Sequence, residues 1–331
     1  MIATSQFRQA GKYACILFDK TFKVTLCKQE NEDLLCEIIE LLIPGKHIAE
    51  LKLERNELSG FVVSEKTVIF DLLCTDADTG EKFVVEMQFA EQHSYQDRML
   101  CYATYPIREQ LALKLEERRK GDVIDRMDYT LKPVYVISLV NFALPHESPE
   151  ALEDNGLISR YSLRNDNFDE AMTDALHFVY LELGRLPYSE NEASKCKTLL
   201  EKFAFSLKYI HTMTRQPEAF DDPLMDKLFK VTELASMTMK ERDNYEKEMR
   251  TQLDIIAEKQ FAREKGWEEG REEGRQEGRE EGREEGREEG RQEGRQETLK
   301  SVVANLKKMG LTTAEIAKAT ALPEEQVREL A

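Results

Sequence analysis

Two short apolar segments each carry an acid, and that pattern restricts the fold more than any other feature of the chain. The first is Val68-Ile69-Phe70-Asp71-Leu72-Leu73-Cys74 and the second is Phe83-Val84-Val85-Glu86-Met87-Gln88-Phe89. Both have the length and composition of strands. Side chains alternate across a strand, so Phe83, Val85, Met87 and Phe89 line one face while Glu86 and Gln88 point together to the other. Asp71 joins them across a hairpin, on a face it shares with Ile69 and Leu73. An ionised carboxylate on that face is partly desolvated and requires a cation or strong donors. A hard divalent metal meets that need, and so does a lysine or arginine paired to the acids on the sheet face.

The surrounding chain supplies the elements of an α/β domain. Apolar residues recur at helical spacing over 31–43, and Pro44-Gly45 stops that helix. Residues 75–82 are polar and contain Gly80, as a chain reversal requires. They are not a calcium loop, because counting from Asp76 the sixth position is Glu81 and the twelfth is Met87. Tyr95 to about Lys120 is helical, with Pro106 expected to kink or interrupt it and Gly121-Asp122 to end it. Residues 133–142 are almost continuously apolar, the mark of a central strand covered on both faces. Strand-like runs at 157–163 and 176–183 extend the sheet, and helices follow from about Ser189.

The last third changes character. Glycine recurs at every fourth position from 266 to 294, among seven Arg and thirteen Glu over 266–298. Apolar residues are nearly absent after Trp267, so no ordinary coiled-coil seam exists. The fillers favour helix, yet each interior glycine costs roughly 1 kcal/mol relative to alanine. The segment reads as a solvated spacer, about 50 Å long if fully helical at 1.5 Å per residue. A glycine stripe that lets helices approach closely is the other reading. Beyond it, three short helices are predicted at 299–309, 313–319 and 323–330. Gly310-Leu311-Thr312 is a turn between the first two, and the arrangement is similar to a helix-turn-helix. Glu324, Glu325 and Glu329 on the third helix argue against phosphate contact, which favours a packing or oligomerisation module.

Composition narrows the function classes. The chain has 331 residues, 41% of them hydrophobic, enough for a sizeable core. Its net charge of −17 argues against nonspecific nucleic-acid binding by the whole surface, so any DNA contact must be local. Six cysteines show no Cys-x-x-Cys pairing and histidines do not cluster, so neither zinc nor a disulfide framework is indicated. No signal pattern and no membrane-length apolar run is present, which predicts a cytoplasmic protein. Lys114, Arg118, Arg119 and Lys120 form the densest basic run, but Glu116 and Glu117 interrupt it, as on a solvated face.

The pair of acids, followed by Gln88, resembles the metal-dependent nuclease superfamily written PD-(D/E)XK. Other matching pieces are Phe18-Asp19-Lys20-Thr21-Phe22-Lys23, Arg98-x-x-x-Tyr102, the strand 133–137 and Asn141-Phe142. Together they resemble the recombination-promoting nuclease and transposase family of bacteria, over roughly the first half of the chain. The resemblance implies a restriction-endonuclease-like α/β core at 1–185, with a mainly helical C-terminal extension at 186–262. The repeat at 263–298 and the terminal module at 299–331 follow. It implies Asp71 and Glu86 as ligands of Mg2+, with Mn2+ as a substitute, and Asp71, Glu86 and Gln88 as the catalytic set. Gln88 stands where the superfamily has lysine, and an amide can orient water but supplies no charge. Lys23 or Lys66 could take over that charge, Lys23 and Arg98 could contact substrate, and Glu32 or Glu40 could add a ligand. For Arg98, an ordinary pairing with a Glu one turn away is the competing reading. The implied activity is metal-dependent hydrolysis of DNA, tied to recombination or transposase-like mobility. RNA as substrate stays open, and so does an inactive nuclease-fold interaction protein. The terminal helices could join copies into a homo-oligomer.

Overall fold

The computed structural model describes residues 11–26, 28–54, 71–119, 129–146 and 156–330. The chain forms two compact units, Met1–Ile255 and Ile256–Ala331.

The first unit is built on one mixed sheet. Its strands are β1 (Leu51–Leu53), β2 (Leu72–Asp76), β3 (Lys82–Gln88), β4 (Val134–Val140), β5 (Ile158–Ser162) and β6 (Leu176–Glu182). They lie in the order β1-β2-β3-β4-β6-β5. The pairs β1–β2, β2–β3 and β5–β6 are antiparallel, whereas β4 runs parallel to both β3 and β6. Every residue of β4 is buried, as its unbroken apolar run demands of a strand in mid-sheet. The runs predicted at 157–163 and 176–183 do extend the sheet, as β5 and β6.

The β2–β3 hairpin extends further into its turn than the sequence suggests, because Thr75 still pairs with β1 and β3 and Asp76 with β1. The Asp76 carboxylate accepts from Asp78 N at 2.9 Å and from Thr79 Oγ1 at 2.8 Å, so the acidic turn is closed by its own side chain. Gly80, at φ +74°, takes the left-handed position. Residues 68–70 of the predicted first strand lie outside the described residues.

Helices cover the sheet. Helix α1 spans Asp19–Leu26, and α2 spans Glu32–Leu42, buries Leu34, Leu35, Ile38, Ile39 and Leu42, and is followed by Gly45 at φ +85°. Helix α3 runs Tyr95–Arg119 with Pro106 inside it, so the expected interruption does not occur. Proline removes one helical donor there, but the helix is clamped on either side of it. Tyr95, Met99 and Ala103 pack on Leu73, Val84 and Val136 of the sheet. One turn past the proline, Gln110 binds the Lys132 backbone twice, at 2.8 and 3.1 Å.

Helices α4 (Leu199–Tyr209) and α5 (Pro223–Thr232) begin at Thr198, in a capping box with Glu201, and at Asp222, followed by proline. Helix α6 (Met239–Lys308) begins in this unit and continues into the second. Its first turns hold the N-terminal segment. The Tyr245 hydroxyl accepts from Cys15 N at 3.3 Å, and the Glu248 carboxylate accepts from Lys20 N at 3.1 Å, at the start of α1.

In the second unit the glycine repeat is helical and exposed throughout. A side-chain carbon added at any glycine from 266 to 294 would meet nothing within 4 Å, so none of them serves close packing inside this chain. The helix predicted at 299–309 is the end of α6 and not a separate element. Helices α7 (Thr313–Thr320) and α8 (Glu324–Glu329) fold back on it around Val303, Ile316 and Val327. Thr312 and Glu315 form the capping box that starts α7. Among the described residues no helix is long and apolar enough to cross a membrane.

Because Tyr245 and Glu248 belong to the first unit's packing, a chain ending at residue 262 should keep the cooperative melting transition of the full-length protein, with its midpoint within about 3 °C. A chain ending at 238 loses both contacts and should be destabilised by about 2–4 kcal/mol. Circular-dichroism melts of the three proteins check this, and loss of the transition in the 262-residue chain would disprove the division.

Candidate active site

The β2–β3 ladder ends at Leu72 opposite Val85, and the next facing residues are Asp71 and Glu86. Their side chains stand in for backbone partners. Glu86 Oε1 accepts from Asp71 N at 3.0 Å, and Asp71 Oδ2 accepts from Met87 N at 2.9 Å. The bonds are reciprocal, and each fixes a carboxylate against the other strand. Both residues are buried, at 8% and 5% exposure, on the face that also carries Val84.

Lys23 supplies the nearby cation. Its ammonium lies 3.1 Å from Asp71 Oδ1 and 2.7 Å from Asp19 Oδ1, one helical turn earlier on α1. Asp19 also hydrogen-bonds Asp71. The sequence analysis gave this acid no role, although its spacing from Lys23 inside the Phe18–Lys23 stretch was a usable signal. The acids proposed from the next helix go elsewhere: Glu32 Oε1 accepts from Leu51 N and Glu40 Oε1 from Ile48 N, each at 2.7 Å. Lys66 lies outside the described residues, as do the side chains of Arg118, Arg119 and Lys120.

Burial governs the electrostatics of the cluster. It pushes Asp71 up to about 6, helped by the Asp19 hydrogen bond and partly countered by the Met87 amide and Lys23. Burial, reinforced by the Asp71 charge, drives Glu86 well above the usual carboxylate range. Asp19 moves the other way: burial raises it, but its bonds to Asp71 and Lys23 outweigh that and lower it. Of these two hydrogen-bonded acids, Asp71 therefore holds a proton more readily than Asp19. For Lys23, burial alone would lower the ammonium, but Asp19 and Asp71 hold it above its ordinary value.

Gln88, at the end of β3, has both ends of its amide engaged. Nε2 donates to Ala90 O at 2.7 Å, and Oε1 accepts from Arg98 Nη2 at 2.6 Å. Arg98 Nη1 donates to Gln92 at 2.7 Å, so this arginine binds two glutamines and no Glu one turn away. Its guanidinium carbon lies 5.0 Å from the Tyr95 ring centre and 5.7 Å from that of Tyr102. The positive charge also reaches Glu86, whose proton affinity it reduces.

The donor set suits a hard cation. All the acids offer oxygen, two are buried side by side, and each is reluctant to ionise without a counter-charge. Among the described residues no group of three or more His, Cys, Asp or Glu converges with metal-binding geometry. Two carboxylates nevertheless meet what magnesium asks of a protein, since it keeps several waters and takes other ligands from substrate phosphate.

A raised carboxyl binds its proton more tightly in the folded state, so in the metal-free protein Asp71 and Glu86 each contribute most to stability at low pH. Asp71 contributes stability that is full below about 4 and is lost as pH rises through about 6. In chelator at pH 8, Asp71→Asn should therefore raise the melting temperature by roughly 2–4 °C, and by less at pH 5. Equal shifts at both pH values would show that the carboxylates do not repel.

The geometry has a counterpart in sequence. The model of the PD-(D/E)XK nuclease family transposases matches residues 16–262, which span α1, the whole sheet and the first turns of α6. No curated protein and no solved structure matches the chain. With three quarters of its length covered, from the helix that carries Asp19 and Lys23 through the strands that carry Asp71 and Glu86, the chain belongs to the PD-(D/E)XK nuclease family transposases.

Proposed function

We propose that the protein is a metal-dependent endonuclease that hydrolyses DNA phosphodiester bonds, in recombination or transposase-like mobility. The observation that carries this reading is the reciprocal clamp of Asp71 and Glu86, two buried carboxylates held side by side with Lys23 against them. Asp71 and Glu86 would hold Mg2+, for which Mn2+ can substitute. When bound, that ion lowers the pKa of a water and neutralises charge on the scissile phosphate.

The chain's own residues do the rest. The backbone amides of Asp71 and Met87 fix the carboxylates, so little reorganisation is needed when substrate arrives. Lys23 supplies an ammonium beside Asp71 that can meet a phosphate oxygen or the attacking water. Arg98 offers a planar cation beside Gln88, suited to a second phosphate oxygen. We assign the chemistry to 1–185, its support to 186–262, and the joining of copies to 299–331 beyond the 263–298 repeat, in a cytoplasmic protein. RNA is chemically acceptable, because nothing in the cluster addresses the sugar.

A net charge of −17 and the absence of a three-ligand group among the described residues favour a second reading, an interaction protein that keeps the nuclease fold. Plasmid nicking separates the two. The parent should nick supercoiled DNA with Mg2+ or Mn2+ and not with chelator. Asp71→Asn and Glu86→Gln should each lose at least about a hundredfold, and Lys23→Ala about tenfold or more. A parent that binds DNA but never nicks it, with either metal, would establish the interaction reading.

A further inference from the structure

We infer that Arg98 provides the phosphate-facing positive charge that Gln88 cannot, and that Gln88 is a positioning residue acting through it. The inference rests on the nuclease reading above and specifies who does what within that site. Gln88 occupies the strand position from which a lysine would project charge, yet its amide is not free to address a substrate. Its carbonyl oxygen is bound by Arg98 and its nitrogen by Ala90 O, which fixes which end of the amide faces the guanidinium. A reversed amide would set N–H against N–H, so the Ala90 bond is what makes Gln88 an acceptor for Arg98.

Arg98 is held as a site residue and not as a surface cation. The Gln88 and Gln92 oxygens fix its two Nη atoms, and Tyr95 and Tyr102 present their rings to it. Neither glutamine neutralises it. Among the described residues three of its five N–H groups have no acceptor, and the Nε among them is buried. A partly buried cation with neutral tethers keeps its full charge for an incoming anion, whereas one paired to a carboxylate would already be compensated. Its reach to Glu86 is electrostatic, since it lowers that carboxyl's proton affinity from one residue position along the same face. Lys23 and Arg98 thus both bring positive charge to the acid pair. The first contacts Asp71 directly, and the second is aimed by Gln88.

A double-mutant cycle on the full-length protein tests this, with Gln88→Met, Arg98→Met and the pair. Each is read by the kcat for nicking supercoiled plasmid in Mg2+ and by fluorescence anisotropy of a labelled 30-base-pair duplex at several salt concentrations. Arg98→Met should reduce kcat by about a hundredfold and flatten the slope of log affinity against log salt by about 0.9, one phosphate contact. Gln88→Met should cost about tenfold in kcat in the parent and nothing further in the Arg98→Met background, because its only route to the substrate is then gone. Arg98→Lys should keep the salt slope but lose kcat, since an ammonium is attracted to phosphate without making the Gln88-directed fork. Losses that multiply in the pair would overturn the inference and give Gln88 an independent role. That outcome would leave the nuclease reading intact, provided the parent cleaves and Asp71→Asn does not. A parent that neither cleaves nor binds DNA overturns both. Unaltered circular-dichroism melts of the four variants guard against loss through unfolding, and an unchanged salt slope in Arg98→Met counts against phosphate contact whatever the kcat.

Discussion

The folded core depends on keeping two acids inside a sheet. Asp71 and Glu86 sit where the β2–β3 ladder gives out, and their carboxylates take over its hydrogen bonding by accepting from the backbone amides of Asp71 and Met87. That satisfies part of each carboxylate, and it leaves the repulsion between them. Burial amplifies the repulsion, which is why both groups hold protons more tightly than free carboxyls do. The molecule answers with a cation from outside the sheet, Lys23, and with a third acid, Asp19, that hydrogen-bonds Asp71. A sheet built for stability alone would carry apolar residues here, as its neighbours Leu72 and Val85 do. The strain is local, and it sits where the reading of the site needs a vacancy for positive charge.

Lys23 is useful only if α1 is held in place, and this links the far end of the chain to the chemistry. Helix α1 is eight residues long and would be marginal by itself. Its first turn is closed by Glu248, whose carboxylate accepts from the Lys20 amide, and Tyr245 binds Cys15 just before it. A carboxylate at a helix N-terminus meets both the free amides and the positive end of the helix dipole. The start of α6 therefore belongs to the first unit, and the family match, which runs to residue 262, includes it.

Most of the sheet was legible in the sequence because its signals are local. The alternation around Glu86, the unbroken run of β4 and the Pro44-Gly45 stop each depend on residues within one element. Convergence of Lys23 and Arg98 on the acids was less legible, because it depends on where two helices land. For Arg98 a pairing along its own helix was the competing reading, yet no acid stands one turn away from it, and the bonds to Gln88 and Gln92 appear only once β3 and α3 are side by side. Pro106 lies inside a continuous helix for a related reason. Proline weakens a helix locally, but the packing of Tyr95, Met99 and Ala103 before it and the Gln110 bonds after it outweigh one lost donor. Asp19 was missed because an acid four residues before a lysine on a helix has an ordinary explanation in that pair alone. Only the third partner, Asp71, gives it another.

The repeat in α6 shows how little a long helix needs from its own sequence. A four-residue period overshoots the helical turn by about 40° each time, so the glycines wind around the helix and never form one straight face. The same period puts arginines four residues apart, and glutamates likewise, which is the unfavourable like-charge spacing; the favourable Glu-to-Arg pairs fall at three. With glycines adding their own cost, the segment has no strong internal reason to be helical. Its ends do. Tyr245 and Glu248 are fixed in the first unit, and Val303 is buried against Ile316 and Val327 in the second. Nucleation is the costly step in helix formation, and both ends supply it, so the exposed middle needs only to propagate between two turns already made. The stability of that middle is therefore borrowed, and its amides should open far more readily than those of the turns that anchor it.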